Sequence, residues 1–376
     1  MKPETQSVHA GTHVDPVTKG VNTPIYTSSA FDYRDYEELP YPRLFNTANQ
    51  TAVVEKLAVL EGAQAGVLFS SGMAAISTAF LSLLKQGDHV LLQEQIYGGT
   101  YAFVVNQLAR AGIEFSFADA SPEALKAALR PNTRLIYVES PANPLLQVVD
   151  LEAVSTLARQ HGALSVIDST FASPVNQNPL AFGFDLVIHS GTKYLGGHSD
   201  LCCGAVLGHD ELIGPIRQTA TYLGGSLNAL SCYLLERSLK TLHVRVQRQN
   251  ENALFLAQAL EREPLIERVY YPGLVSHPSH AIAAAQMRGF GGMISFTLAA
   301  SARSPGQFLE RLALIQPALS LGGVESTVCV PATTSHKGVP EAERERMGIT
   351  ARTVRLSVGI EHAEDLLEDI RQALSN

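Results

Sequence analysis

Residues 189–200 read "HSGTKYLGGHSD" and set one long cation, Lys193, among hydroxyls, glycines, two histidines and an aspartate, directly after the apolar run "DLVI" (185–188). Exposed lysines rarely follow a buried strand inside so many small residues. Lys193 could be a surface lysine, a phosphate-binding lysine, or a covalent amine. In the last case, desolvation lowers its affinity for protons and lets it condense with an aldehyde cofactor. Small neighbours leave room for a flat ring. Asp168 could face that ring's pyridinium nitrogen and Tyr97 could stack on its face. Equally, Asp168 could cap the following turn and Tyr97 could be core.

Other polar residues sit at the ends of apolar runs, where ligands bind in open parallel sheets. Ser70-Ser71-Gly72-Met73 places small residues at a helix start, where free N–H groups and the positive dipole end converge on an anion. An ordinary serine cap satisfies the same residues. The stretch is neither a P-loop nor GxGxxG. Glu139 and Asp168 each interrupt an apolar strand exit, a costly place for a carboxylate without a partner. In "TVRLSV", Val354, Leu356 and Val358 alternate with Arg355 and Ser357. The arginine therefore faces either solvent or a ligand carboxylate.

The elements that must position these residues alternate between strand and helix from about 50 to 210, which predicts an α/β domain with a mostly parallel sheet. Strands are expected at "GVLF", "HVLLQE", "IEFSFAD", "TRLIYVES", "LSVIDST", "DLVIHS" and "CGAVLG". Helices are expected from Val53 to a Gly62 cap, from Met73 to Gly87, from Tyr97 to Ala111, from a Ser121 cap, and from Asp150 to Gly162. Beyond about 226 a long helix carrying Leu230, Leu234, Leu242 and Val246, then "GGMISFTL" and "TVRLSVGI", predict a smaller α+β domain. The expected division is an arm, 1–48, a domain at 49–228 and a second at 229–376.

The 376 residues are 45% apolar and 17% charged, the make-up of an ordinary globular protein of two domains. A net charge of -8 without a basic block opposes nucleic acid and anionic membrane surfaces as partners. No apolar stretch is long enough to span a bilayer and "MKPETQSVHAG" lacks the core of a signal peptide, so the cytoplasm is expected. The four cysteines, 202, 203, 232 and 329, read as small buried thiols. No metal site is expected: His189, His198 and Asp200 would be a remote hydrolase set, and the lysine loop explains them better.

Taken with "ETQSVHAG" (4–11), "LEGAQAGVLFSSGMAAI" (60–76), "ESPANP" (139–144), "SLGGVES" (320–326) and "VRLSVGIE" (354–361), the lysine loop resembles that of the pyridoxal-phosphate trans-sulfuration enzymes of cysteine and methionine metabolism. The likeness covers nearly the whole chain. It implies the aspartate-aminotransferase-like fold (PLP fold type I) and a homotetramer, a dimer of dimers with shared active sites. By resemblance, Lys193 would carry the cofactor as a Schiff base and then shuttle protons. Asp168 would keep the pyridine nitrogen protonated, and Tyr97 would stack and assist proton transfer. Ser71, Gly72, Met73, Ser190 and Thr192 would hold the phosphate, joined by Tyr41 and Arg43 from the neighbouring subunit. Asn143 would touch the ring hydroxyl. Arg355 would grip the substrate carboxylate, with Asn143, Ser320 and Leu319 on the substrate side.

The chain departs from the family pattern in Tyr41-Pro42-Arg43, in Gly99, in the apolar Leu319 and in "STVCVPATTSH" (326–336). An apolar residue at 319 favours an uncharged thioether tail, because a distal ammonium would be desolvated there without a partner. The activity implied is α,γ-elimination from a small sulfur amino acid to a 2-keto acid, ammonia and a thiol. The alternatives are γ-replacement, as in cystathionine γ-synthase or O-acylhomoserine sulfhydrylase, then β-elimination, and more distantly an inactive cofactor-binding homologue.

Overall fold

The computed structural model describes residues 1–375. Seven strands form the larger sheet: β1 (Ala65–Phe69), β2 (His89–Gln93), β3 (Glu114–Ala118), β4 (Thr133–Glu139), β5 (Leu164–Asp168), β6 (Leu186–His189) and β7 (Gly204–Gly208). Their order is β1-β7-β6-β5-β4-β2-β3. The pairs from β6 to β3 are parallel, whereas β7 runs antiparallel to both β6 and β1. An apolar run carries no mark of its direction, which is why the reversal of β7 is not legible in "CGAVLG".

Both faces of this sheet are covered. Leu92, Leu135, Tyr137, Val166 and Leu186 pack into one core, and Leu91, Ile136, Val138, Ile167 and Val187 into another. Alternate residues serve opposite layers, so the strands read as continuous apolar runs.

The smaller sheet holds β8 (Ile266–Tyr270), β9 (Met293–Leu298), β10 (Gln316–Pro317), β11 (Thr327–Cys329) and β12 (Thr353–Ser357) in the order β10-β11-β12-β9-β8. The helix Leu242–Leu260 joins the two halves. Its Leu242 and Val246 pack with Leu57, Leu68 and Leu207 beside the larger sheet, while Leu256, Ala257 and Leu260 pack with Phe296 and Leu356 of the smaller one. Along it, Arg245 donates to Tyr194 O at 2.8 Å, Gln249 to Gly323 O at 2.7 Å and Asn252 to Gly359 O at 3.1 Å.

Several helices differ from expectation. The long helix is two, Ala229–Leu239 and Leu242–Leu260. The first buries Cys232, Leu235 and Leu239 rather than Leu230, which is 55% exposed. A different stripe of the same helix therefore faces the core. Between 98 and 111 the chain passes from α-helix (Gly98–Phe103) through a π turn (Val104–Leu108) to a 3-10 turn (Ala109–Ala111). At Ser121 the side chain makes no capping bond; its N–H donates to Asp119 instead. Among the cysteines, Cys202 is exposed while 203, 232 and 329 are buried, and all four are free. No described helix is long and apolar enough to cross a membrane.

Candidate functional site

A cavity of about 440 Å³ opens beyond the carboxyl ends of β4, β5 and β6. It is lined by Ser71, Gly72, Met73, Tyr97, Asn143, Asp168, Ser190, Thr192, Lys193, Leu319, Ser320 and Arg355. Twelve of the fourteen residues expected to hold cofactor or substrate thus converge, from both sheets, and Glu139 lines the cavity with them. Tyr41 and Arg43 do not. Arg43 donates to Thr221 O at 2.7 Å with its guanidinium over the Tyr41 ring, away from the cavity.

The helix Gly72–Leu83 begins at the cavity edge. Ser71 caps it in the ordinary way, its Oγ accepting from Ala74 N–H at 3.0 Å. The cap leaves the Gly72 and Met73 amides at the helix start, pointing out of the first turn. Gly72 has no room for a side chain, since a Cβ would stand 2.8 Å from that of Ser190. Gly204 is tighter still, with a Cβ 2.2 Å from Ser71 O.

Lys193 follows β6 in a loop braced from below by the buried Arg245, whose guanidinium donates to Tyr194 O and Ser238 O. Its Nζ donates to Ser320 Oγ at 2.8 Å. Burial, then the Arg355 charge, push the Lys193 amine below its ordinary value. That is the environment a nucleophilic amine requires.

Glu139 and Asp168 are register partners at the ends of β4 and β5. Burial raises both carboxyls, and the Asp168 charge pushes Glu139 further, well above the usual range. Both Glu139 oxygens accept from Tyr97 N–H, at 3.0 and 2.9 Å, and Tyr137 donates to it at 3.1 Å. Glu139 thereby fixes the Tyr97 backbone, and the 45% exposed Tyr97 is not core. Asp168 Oδ1 accepts from Thr170 N–H at 2.9 Å, so it does cap its turn while its carboxyl also lines the cavity.

From the smaller sheet, Arg355 on β12 turns inward and is only 5% exposed, which excludes the solvent-facing alternative. Its Nη1 donates to Asn143 Oδ1 at 2.8 Å and its Nη2 to Ser320 O at 3.4 Å. Ser320 holds a positive φ of 79°, an uncommon conformation for a non-glycine residue. Leu319, 68% exposed, stands at the rim.

Sequence reasoning passed over Thr170, Cys202, Thr334 and Ser335, which also line the cavity. Thr170 Oγ1 accepts from Ser190 N–H at 2.8 Å and so links the Asp168 turn to the lysine loop. Its place two residues after Asp168 is the one signal that could have found it. Thr192 Oγ1 accepts from Cys203 N–H at 3.0 Å and lies 3.2 Å from Cys203 O, so its hydroxyl is already engaged on one side. His189 and His198 contact Glu61 and Gly196 O respectively.

These residues fit a phosphorylated pyridine aldehyde. The helix start and Ser190 offer donors to an anion, the Lys193 amine lines the same cavity, and the half-buried Asp168 carboxyl faces it from the strand end. Comparison with known proteins agrees. The model of the family described as Cys/Met metabolism PLP-dependent enzyme matches residues 4–375. Cystathionine beta-lyase MetC of Bacillus subtilis (strain 168) is 44% identical over 376 residues, covering 99% of this chain and 96% of its own. Cystathionine gamma-lyase of the same organism is 44% identical over 384 residues and is covered, like this chain, at 100%. The crystal structure of cystathionine gamma-lyase from Lactobacillus plantarum complexed with L-serine matches with a TM-score of 0.96 at 39% identity, covering 99% of this chain and 98% of that one. The fold is accordingly that of PLP fold type I, and the cofactor is pyridoxal phosphate. The chain belongs to the Cys/Met metabolism PLP-dependent enzymes.

Proposed function

We propose that this chain is a carbon–sulfur lyase that removes the sulfur-bearing group of an L-amino acid by α,γ-elimination, giving a 2-keto acid, ammonia and a thiol. The observation that carries the reading is the depressed amine of Lys193 opening on the same cavity as the inward-facing Arg355. An amine and a planar two-pronged cation across one small space suit an α-amino acid.

When bound, pyridoxal phosphate supplies an electron sink for the charge left on a deprotonated carbon. Lys193 would hold the cofactor through its Nζ, and the same nitrogen would carry protons to and from the substrate Cα and Cβ. Ser320 Oγ, 2.8 Å away, orients that nitrogen. Asp168 would keep the proton on the ring nitrogen, and Tyr97 would lie against the ring. The Gly72 and Met73 amides with Ser71, Ser190 and Thr192 would bind the phosphate, Asn143 would meet the ring hydroxyl, and Arg355 would bind the substrate carboxylate. Tyr41 and Arg43 complete the phosphate site of a neighbouring protomer in a homotetramer with shared active sites. Their exposure and their absence from the lining of their own cavity support this. The same reading divides the chain into the arm 1–48, the cofactor domain 49–228 and the C-terminal domain 229–376.

A second reading, β-elimination, is favoured by the equal 44% identity to a relative named beta-lyase and one named gamma-lyase. Purified enzyme given methionine, cystathionine, cysteine and O-acylhomoserine, with and without added thiol, separates the readings by product. A four-carbon 2-keto acid with a thiol, formed from methionine or cystathionine without an acceptor, supports γ-elimination, and pyruvate from cystathionine supports β-elimination. A thioether formed only with an acceptor refutes both in favour of γ-replacement.

A further inference from the structure

Two amides, Asn46 and Gln50, flank the start of the helix Ala48–Glu61 and reach back to the chain before it. Gln50 is 1% exposed and uses every hydrogen-bonding position of its side chain. Its Oε1 accepts from Thr47 N–H at 3.1 Å and from Thr47 Oγ1 at 3.0 Å, which closes a capping box. Its Nε2 donates to Pro42 O at 2.9 Å and to Leu227 O at 3.0 Å. A capping box asks only for an acceptor at this position, which Glu supplies as well as Gln. The two donated bonds ask for an amide.

Asn46 Oδ1 accepts from Tyr41 N–H at 2.9 Å, and its Nδ2 donates to Leu39 O at 3.0 Å. The segment so held is the 3-10 turn Pro42–Leu44, with Tyr41 before it and Phe45 after it. Phe45 takes a positive φ of 60° and sets its ring in the core against Phe69, with centroids 5.5 Å apart. Leu227, the far anchor, lies two residues past Gly225, whose carbonyl accepts from Ser70 N–H at 2.6 Å. The mount of the turn thus includes the chain that leads into the helix at Gly72. The Tyr41 N–H and the Pro42 carbonyl are both clamped by side chains, while the Tyr41 ring is 39% exposed and the exposed Arg43 donates to Thr221 O. A fixed backbone beneath outward side chains lowers the ordering cost of meeting an anion.

We propose that Asn46 and Gln50 are positioning residues that hold the Tyr41-Pro42-Arg43 turn in the form in which it completes the phosphate site of a neighbouring protomer. The inference rests on the shared phosphate site given under the proposed function.

The test reads cofactor affinity. Holoenzyme is stripped of cofactor and titrated back with pyridoxal phosphate, following the visible absorption of covalently held cofactor, which under the proposed function only subunits that keep Lys193 can show. Asn46→Ala, and Gln50→Glu, which keeps the acceptor of the capping box, should each weaken the affinity about tenfold. Each variant is then co-expressed with Lys193→Ala carrying a second affinity tag, and oligomers bearing both tags are isolated. In these a subunit with an intact lysine receives the intact turn of its Lys193→Ala neighbour, so a titration phase as tight as wild type should appear. Arg43→Ala, paired in the same way, is the control.

If Arg43→Ala gains the tight phase and the other two do not, Asn46 and Gln50 serve only their own subunit and the proposal is overturned. Wild-type affinity in the unmixed Asn46→Ala and Gln50→Glu oligomers also overturns it. If Arg43→Ala itself gains no tight phase, the shared phosphate site fails instead, so the two failures are distinguishable. Circular dichroism and melting are recorded for each variant, and if the buried carboxylate of Gln50→Glu prevents folding, Asn46→Ala alone decides.

Discussion

Arg355 and Asn143 meet across the two sheets, Nη1 to Oδ1 at 2.8 Å, so the cation of β12 is oriented by the loop that follows β4. One guanidinium prong is thus fixed by protein before any ligand arrives, and pre-orientation of this kind lowers the cost of binding a carboxylate.

Replacing Arg355 with Lys keeps the charge and removes the fork. KM for the amino-acid substrate should rise about a hundredfold with a much smaller change in kcat, because planar two-point recognition is lost. Steady-state kinetics with an unchanged circular dichroism spectrum check this. A rise confined to kcat would assign Arg355 elsewhere.

Lys193→Ala removes the amine that the proposed function assigns to the cofactor. The visible absorption of covalently held cofactor should disappear and turnover should fall at least about a thousandfold, since that reading gives covalent attachment and proton transfer to this one amine. Absorption spectra and single-turnover assays of the same preparation measure both.

The two strand-end carboxyls should behave differently on amidation. Asp168→Asn should lower kcat/KM about a hundredfold or more, because the proposed function sets its charge against the ring nitrogen. Glu139→Gln retains an acceptor for Tyr97 N–H and should stay within about fivefold of wild type, because its role is a hydrogen bond rather than a charge. Equal losses in the two variants would contradict this assignment.

Gly204 permits β7 to pass against the Ser71–Gly72 turn. Gly204→Ala must displace backbone, at a cost of about 1–3 kcal/mol, and should loosen the phosphate cradle. Cofactor affinity should fall about tenfold and the melting temperature should drop, as read from cofactor titration and thermal unfolding.

Acid should destabilise the protein through two buried histidines. Burial, then the Arg130 charge, push His89 down to about 4; burial, then the Arg355 charge, do the same to His336. Below about 6.5 the unfolded chain takes up protons that the folded one refuses, so their stabilisation is complete above that pH and is lost as pH falls toward 4. His89 is held neutral between Thr133 Oγ1 at 2.8 Å and Ser116 Oγ at 2.9 Å. Denaturant unfolding at several pH values should therefore show a shallower decline in His89→Gln than in wild type.

Much of this architecture is visible in the residue order alone, for reasons that can be named. The parallel strands are buried on both faces and so announce themselves as apolar runs, and their polar exits gave Lys193, Asp168 and Ser190 directly. Arg355 was harder, because alternation says which residues share a face but not whether that face looks to water or to a cavity. The Glu61–His189 contact joins positions 128 apart, and nothing local to either residue marks it. Cys202 lines the cavity with no such mark in the residues around it, whereas Thr170 is marked only by its place after Asp168. The broken helix at 240–241 and the exposed Leu230 reflect tertiary packing overriding a periodic pattern that fits two registers.

The helix Leu242–Leu260 acts as a ruler. Near one end Arg245 braces the lysine loop, and further along Gln249 and Asn252 grasp the turns that flank β11 and β12. A rod seated in both cores sets the span from amine to guanidinium once, for every visitor. Ligands that share an amino-acid head would therefore be gauged alike, and their tails would reach toward the rim, where Leu319 stands.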